Sequence, residues 1–428
     1  MNGGGIDDIY KYEDFLNFTT LLNKIKMGGL MSVKIGIVGK PNVGKSTFFS
    51  SVATAQAEMA NYPFTTVEAN TAVAFVRHPC PHTEFGVVCN PQNSKCENGT
   101  RLIPVELVDV AGLVPDAHKG KGLGNKFLDD LRQAHVLIHI IDASGSTDAE
   151  GNPVPPGSHD PLEDVRFLEM EIRYWLKGIL EKDWKRAVNR LRLTGEKLED
   201  FLYNKFCGFG ASRGDILHAL RNIKEKEDPT KWDEKDLFQF VTELQKKAKP
   251  IILCLNKCDL AEEETLQRLE KLEDYVTIKA SAIYEYVLRK ASESGLIEYH
   301  KGDDSFKILK PEKLSVAQKK ALEKIANHLE KHGSTGVTEC LETAVFDFLE
   351  MIAVYPVESE SRLSDKKGNI LPDCYLVKKG TTAEELAYMI HTEIGRGFIR
   401  AVDVRQKRII GHDHVLQDND VIKIISKP

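Results

Sequence analysis

Val33-Lys34-Ile35-Gly36-Ile37-Val38 runs directly into Gly39-Lys40-Pro41-Asn42-Val43-Gly44-Lys45-Ser46, and Thr47-Phe48-Phe49-Ser50-Ser51-Val52 follows. A β-branched run, a G-x-x-x-x-G-K-S loop and a short amphipathic stretch predict strand, phosphate-binding loop and helix in that order. Glycine at 39 and 44 lets backbone N–H groups turn inward around a β-phosphate, and the helix that follows adds the positive end of its dipole. On this reading Gly39, Lys40, Pro41, Asn42, Val43, Gly44, Lys45, Ser46 and Thr47 line the phosphates. Lys45 reaches the β- and γ-phosphates, and the Ser46 hydroxyl is a ligand to Mg²⁺.

Three further strand ends extend the pattern. Ile103–Val108 is an apolar strand ending at Asp109-Val110-Ala111-Gly112, which places a carboxylate for Mg²⁺ at Asp109 and a backbone N–H for the γ-phosphate at Gly112. Ile251–Leu255 ends in Asn256-Lys257-Cys258-Asp259. There the Asp259 carboxylate would accept from guanine N1–H and its exocyclic amine, Lys257 would lay its stem along the base, and Asn256 would brace the loop. Adenine offers neither donor, so Asp259 would face it unpaired. Tyr275–Lys279 is one more strand, and the Ser281-Ala282 turn beyond it would offer a backbone N–H to guanine O6.

Composition bounds the rest. The chain of 428 residues is long enough for two or three domains, and 42% hydrophobic with 29% charged residues predicts a globular protein with ample core. A net charge of −6 is not that of a general nucleic-acid binder. No apolar run reaches about 18 residues, so no membrane span is expected. Eight scattered cysteines fit reduced thiols in a cytoplasmic protein. Residues 1–31 lack the features of a signal peptide, and Met27 and Met31 are alternative starts, so this leader is set apart from the fold.

With these motifs in place the chain resembles the Obg-like GTPases, in particular the YchF-related branch with a C-terminal TGS domain. The resemblance is carried by GKPNVGKST (39–47), Asn61-Tyr62-Pro63-Phe64-Thr65-Thr66, DVAGLV (109–114), the glycine-rich Lys119–Asn125 and NKCD (256–259), and it covers the chain from about residue 33 onward. It implies an α/β P-loop GTPase domain (32–345), a mostly parallel sheet flanked by helices, with a projecting helical arm inserted at about 160–248, and a small α+β β-grasp domain of TGS type at 346–428. It also implies that Thr66 completes the Mg²⁺ site, with Thr65 as the alternative, and that GTP and GDP are the ligands. Some YchF proteins have an altered base motif and accept ATP; the intact Asn256-Lys257-Cys258-Asp259 argues for GTP here.

Hydrolysis is less legible. The position just after D-x-x-G, where Ras-type enzymes carry a water-orienting glutamine, is Leu113. His118 is the candidate for that role, beside Lys45 and Thr66, and Asn42 marks possible K⁺ use in place of an arginine finger. Slow intrinsic turnover is expected. Between Asp142 and Asn256 lie 113 residues (143–255), where Val165, Leu168, Ile172, Trp175, Leu176 and Ile179 recur at helical spacing. Arg396, Arg400, Arg405, Lys407 and Arg408 face only Asp403, and with the TGS resemblance they point to RNA or ribosome contact by a monomeric switch, the helical arm contributing. Cys80, His82, Cys89 and Cys96 lack the tight C-x₂₋₄-C pair of most zinc sites, so the segment reads as a loop joining two strands.

Overall fold

The structure, a computed structural model, describes residues 33–54, 70–110, 130–223 and 228–427. Leader residues 1–31, Thr65, Thr66, Gly112, Leu113 and His118 lie outside the described residues.

One sheet organises the first part of the chain. Its strands are β1 (Lys34–Val38), β2 (Thr71–Pro79), β3 (Lys95–Glu97), β4 (Thr100–Asp109), β5 (Val136–Asp142), β6 (Ile251–Asn256) and β7 (Val276–Lys279), in the order β2-β4-β1-β5-β6-β7. β4, β1, β5, β6 and β7 are parallel, while β2 joins β4 antiparallel as an edge. β5 and β6 are buried at every position and are almost wholly apolar, as strands covered on both faces must be. The last residues of β1, β4, β5 and β6 therefore meet at one end of the sheet, where ligands of open α/β folds bind.

The helices follow from local signals. α1 (Lys45–Val52) starts at Gly44, which takes φ +101 and gives no side-chain cap, so the first N–H groups of the helix have no partner from that residue. α2 (His82–Phe85) is a single turn between β2 and β3. The insertion holds α3 (Pro161–Glu181), α4 (Trp184–Thr194), α5 (Leu198–Phe206), α6 (Arg213–Arg221) and α7 (Glu234–Ala248). Asp160 caps α3, with Pro161 inside the first turn, and Ser212 and Asp233 close capping boxes on α6 and α7.

The helical arm expected at about 160–248 is built from these five helices. The stretch 184–206 breaks at Gly195, left-handed at φ +70, and α3 and α7 pack together with the sheet. Trp184 and Trp232 lie 5.1 Å apart between ring centroids, and Trp232 and Phe240 5.8 Å. Five short helices around such an aromatic centre bury more apolar surface than two helices in water could, so the insertion folds as a bundle.

Beyond β7 come α8 (Glu263–Glu270, before it in the chain), α9 (Ala282–Glu293), a two-stranded ribbon of β8 (Ile297–Glu298) and β9 (Lys307–Ile308), α10 (Val316–His332) and α11 (Val337–Glu342). A second sheet follows: β10 (Met351–Val357), β11 (Tyr375–Lys378), β12 (Phe398–Asp403), β13 (Arg408–Ile410) and β14 (Val421–Ser426), ordered β11-β10-β14-β12-β13. α12 (Ala383–Ile390), capped by Thr382, covers one face of it, and α13 (Thr392–Arg396) follows. The other face contributes Ala353, Tyr355, Val357 and Val421 to the same core as Ile35, Val76 and Ile103 of the first sheet.

Candidate functional site

Geometry at the ends of β1, β4, β5 and β6 is specific. Gly39 takes φ +150 in a space where a Cβ would stand 2.6 Å from the Ile140 carbonyl oxygen, so only glycine fits. Asn42 takes φ +61 and donates through Nδ2 to Gly151 O at 2.9 Å. Ser46 and Pro41 are exposed, while Val43 is buried. Lys45 Nζ donates to Lys40 O at 2.7 Å. Burial draws the Lys45 ammonium below the ordinary lysine range, and the Asp109 carboxylate works against that shift. Asp109 sits beside Ile37 in the ladder, two residues before Gly39. Thr47 is half-buried in the first turn of α1.

The Lys40 side chain goes elsewhere than expected. It is buried, donates to Thr147 O at 3.0 Å, and pairs with Asp164 in the first turn of α3 at 2.8 Å. His159 Nε2 lies 3.0 Å from the same carboxylate. The side chain of Lys40 thus ties the phosphate loop to the insertion, leaving only its backbone for a phosphate.

The base-reading end is more tightly built. Asn256 Nδ2 donates to Val43 O at 2.8 Å, and its Oδ1 accepts from Ala282 N–H at 2.9 Å. One amide joins the phosphate loop to the turn after β7. A Cβ on Gly44 would come 2.3 Å from that Asn256 Nδ2, which explains glycine there. Lys257, at φ +58, donates to Asp142 Oδ2 at 2.8 Å and Ser146 Oγ at 3.2 Å. Burial opposes the Asp142 charge, but Lys257 and the Ser144 and Ser146 hydroxyls outweigh it and hold the carboxyl below its usual range. Sequence reading places Asp142 only as the start of the insertion and misses Ser144, Ser146 and Thr147; the signal is an acid ending β5 followed by three hydroxyls within five residues.

Two polar atoms here are buried without a partner among the described residues: Asp259 Oδ1 and Ser281 Oγ. Native interiors rarely leave such groups unpaired, so they mark a place for a donor or acceptor from outside. The backbone donors of the Ser281-Ala282 turn have partners within the chain. Ser281 N–H donates to Thr335 O at 3.0 Å and Ala282 N–H to Asn256 Oδ1 at 2.9 Å. Ile283 N–H is the next donor along the first turn of α9.

Comparisons with known proteins bear on the family of the chain. Residues 34–167 match the family model "50S ribosome-binding GTPase", 254–359 match "Obg-like GTPase YGR210-like, G4 motif-containing domain", and 364–426 match "TGS domain". The chain is 48% identical over 394 residues to the uncharacterized GTP-binding protein MJ1332 of Methanocaldococcus jannaschii, covering 92% of this chain and 98% of that one. It is 27% identical to the ribosome-binding ATPase YchF of Bacillus subtilis, covering 92% and 98%. A crystal structure of a GTP-binding protein from Pyrococcus horikoshii superposes with a TM-score of 0.74 at 40% identity, covering 92% of this chain and all of that one.

Proposed function

The chain belongs to the Obg-like, YchF-related P-loop GTPases, and within that family we propose that it is a guanine-nucleotide switch with slow intrinsic hydrolysis. The observation that carries the choice of base is the unpaired Asp259 Oδ1 beside the braced Asn256 and Lys257. Guanine supplies two N–H donors to a carboxylate at this place, and adenine supplies none, so an adenine ligand leaves a desolvated carboxylate unsatisfied. Ile283 N–H takes the guanine O6 contact in place of the engaged Ala282 N–H.

At the phosphates, Gly39 to Thr47 supply backbone N–H groups, and Lys45 exchanges its Lys40 carbonyl partner for the β- and γ-oxygens. Ser46, Asp109 and Thr66 would hold Mg²⁺, which would supply positive charge to the phosphates. Gly112 N–H meets the γ-phosphate, and His118 orients the attacking water that Leu113 cannot. With Asn42 Nδ2 committed to Gly151, its Oδ1 is the atom for K⁺.

The partner is the ribosome. Support comes from the TGS match, the ribosome-binding description matched by residues 34–167, and the printed name of the B. subtilis relative. No described helix is long and apolar enough to cross a membrane, and a cytoplasmic monomer fits this role.

Titration with mant-GTP and mant-ATP tests the base assignment: at least a hundredfold preference for GTP is expected, and a preference for ATP makes the protein an ATPase of the same family. Single-turnover hydrolysis in K⁺ and Na⁺ buffers, with and without ribosomes, tests the rest. A His118→Ala protein with an unchanged rate removes His118, and no turnover under any condition leaves a nucleotide-dependent scaffold.

A further inference from the structure

At the end of the sheet opposite the nucleotide site, β2 stops at Pro79 and the chain wraps through α2 and β3 before entering β4. This segment brings Cys80, His82, Cys89 and Cys96 together, with one ligand atom from each lying within 4.8 Å of all the others. Cys80 Sγ is 3.9 Å from Cys89 Sγ, and His82 Nδ1 is 3.4 Å from Cys89 Sγ and 3.5 Å from Cys96 Sγ. A tetrahedral zinc with bonds of about 2.3 Å to sulfur and about 2.0 Å to nitrogen has edges of about 3.8 Å between sulfurs and about 3.5 Å between sulfur and nitrogen. The observed separations match those edges. They do not match a disulfide, which needs about 2.05 Å between sulfurs, and all four cysteines of the neighbourhood, Cys374 included, are free thiols.

A second observation points the same way. Arg101 is fully buried and opposite Cys96 in the ladder, and its guanidinium donates to Ser94 Oγ and Leu371 O, both neutral, at 3.0 Å. Among the described residues its Nε has no hydrogen-bond partner, and no described carboxylate forms an ion pair with it. A buried cation without an anion is costly. Three thiolates and a neutral histidine on Zn²⁺ carry one net negative charge, which is the missing counter-charge.

We propose that Cys80, His82, Cys89 and Cys96 bind one structural Zn²⁺, with the loss of three thiol protons, and that the metal fixes the platform on which the C-terminal sheet docks. The platform is the same stretch of chain. Asn93 exchanges two hydrogen bonds with the backbone of Cys374, Asn90 N–H donates to Ile370 O and Gln92 N–H to Pro372 O, and Glu84 pairs with Arg405.

The test uses the full chain, purified without chelators or a histidine tag, with metals counted by mass spectrometry. One zinc per chain is expected, released as a mercurial titrates three thiols beyond the exposed Cys207, and Co²⁺ exchanged into the site should give the intense visible bands of a tetrahedral thiolate centre. Cys96→Ser should retain under a tenth of the zinc, whereas Cys207→Ser, at an exposed thiol on the insertion, should retain all of it. The proposal is overturned if the reduced wild-type chain carries no zinc and takes up no Co²⁺, if iron and sulfide are found instead, or if Cys96→Ser keeps its zinc. Should Cys96→Ser not fold, the wild-type Co²⁺ spectrum decides.

Discussion

β2 and β4 run side by side for nine residues, about 27 Å, and their two ends treat polar groups in opposite ways. Near the Asp109 end, across to β6 and β7, Asp259 and Ser281 hold atoms with no partner, and Lys45 rests on a carbonyl of its own loop. At the Pro79 end Asn93, His78, Glu84 and Tyr355 are each matched by a group from the other sheet, as His78 is by Asp418 at 3.0 Å. At the first end the unmatched atoms leave room for a nucleotide; at the second these cross-sheet pairs mark an interface already made within the chain, and the unmatched Arg101 Nε lies beside the cysteine cluster. The comparison makes the two ends separable in experiment.

The sharpest break between them should come from Lys45→Ala. It is expected to weaken mant-GTP binding by about 4 kcal/mol, roughly a thousandfold, through loss of charge-assisted bonds to phosphate. Its melting curve without nucleotide should stay within a degree or so of wild type; a large drop would mean that the ends are not independent. Asp259→Asn follows at about 2–3 kcal/mol against GTP. Because the new amide can donate to a 2-oxo group, xanthine nucleotide should recover most of that affinity, and failure of the rescue would place base recognition elsewhere.

Asn93→Ala addresses the other end. It leaves the Cys374 N–H and C=O buried without partners, so about 2 kcal/mol of stability should be lost in denaturant titration, with GTP affinity changed less than twofold. The smallest effect concerns acid. The Asp142 carboxyl is held below its usual range, so its contribution is present above about pH 4 and is lost as pH falls through the depressed folded value. Lys257→Met lessens that depression, and its acid-unfolding midpoint should rise by a few tenths of a pH unit.

Much of the nucleotide end is legible in sequence because each motif sits within a few residues of an apolar strand, and strand ends of a parallel sheet converge by topology. The opposite end is not, for two reasons. The close pair is Cys80-x-His82 rather than two cysteines, and Cys96 reaches it only because β3 folds back on β4, placing Cys96 opposite Arg101. Pairings such as Lys40 with Asp164, 124 residues apart, leave no local trace either. β12 and β13 escaped notice because their outward positions carry Arg400, Arg408 and Ile409, which blur the alternation that a strand normally prints.

The buried Lys40–Asp164 pair has a mechanical consequence. It fastens the phosphate loop to the first turn of α3, and a helix of 21 residues is about 31 Å long. Each degree by which that fastening tilts the helix carries its far end through about 0.5 Å. A loop adjustment that tilted α3 by a few degrees would therefore move its far end by an ångström or two.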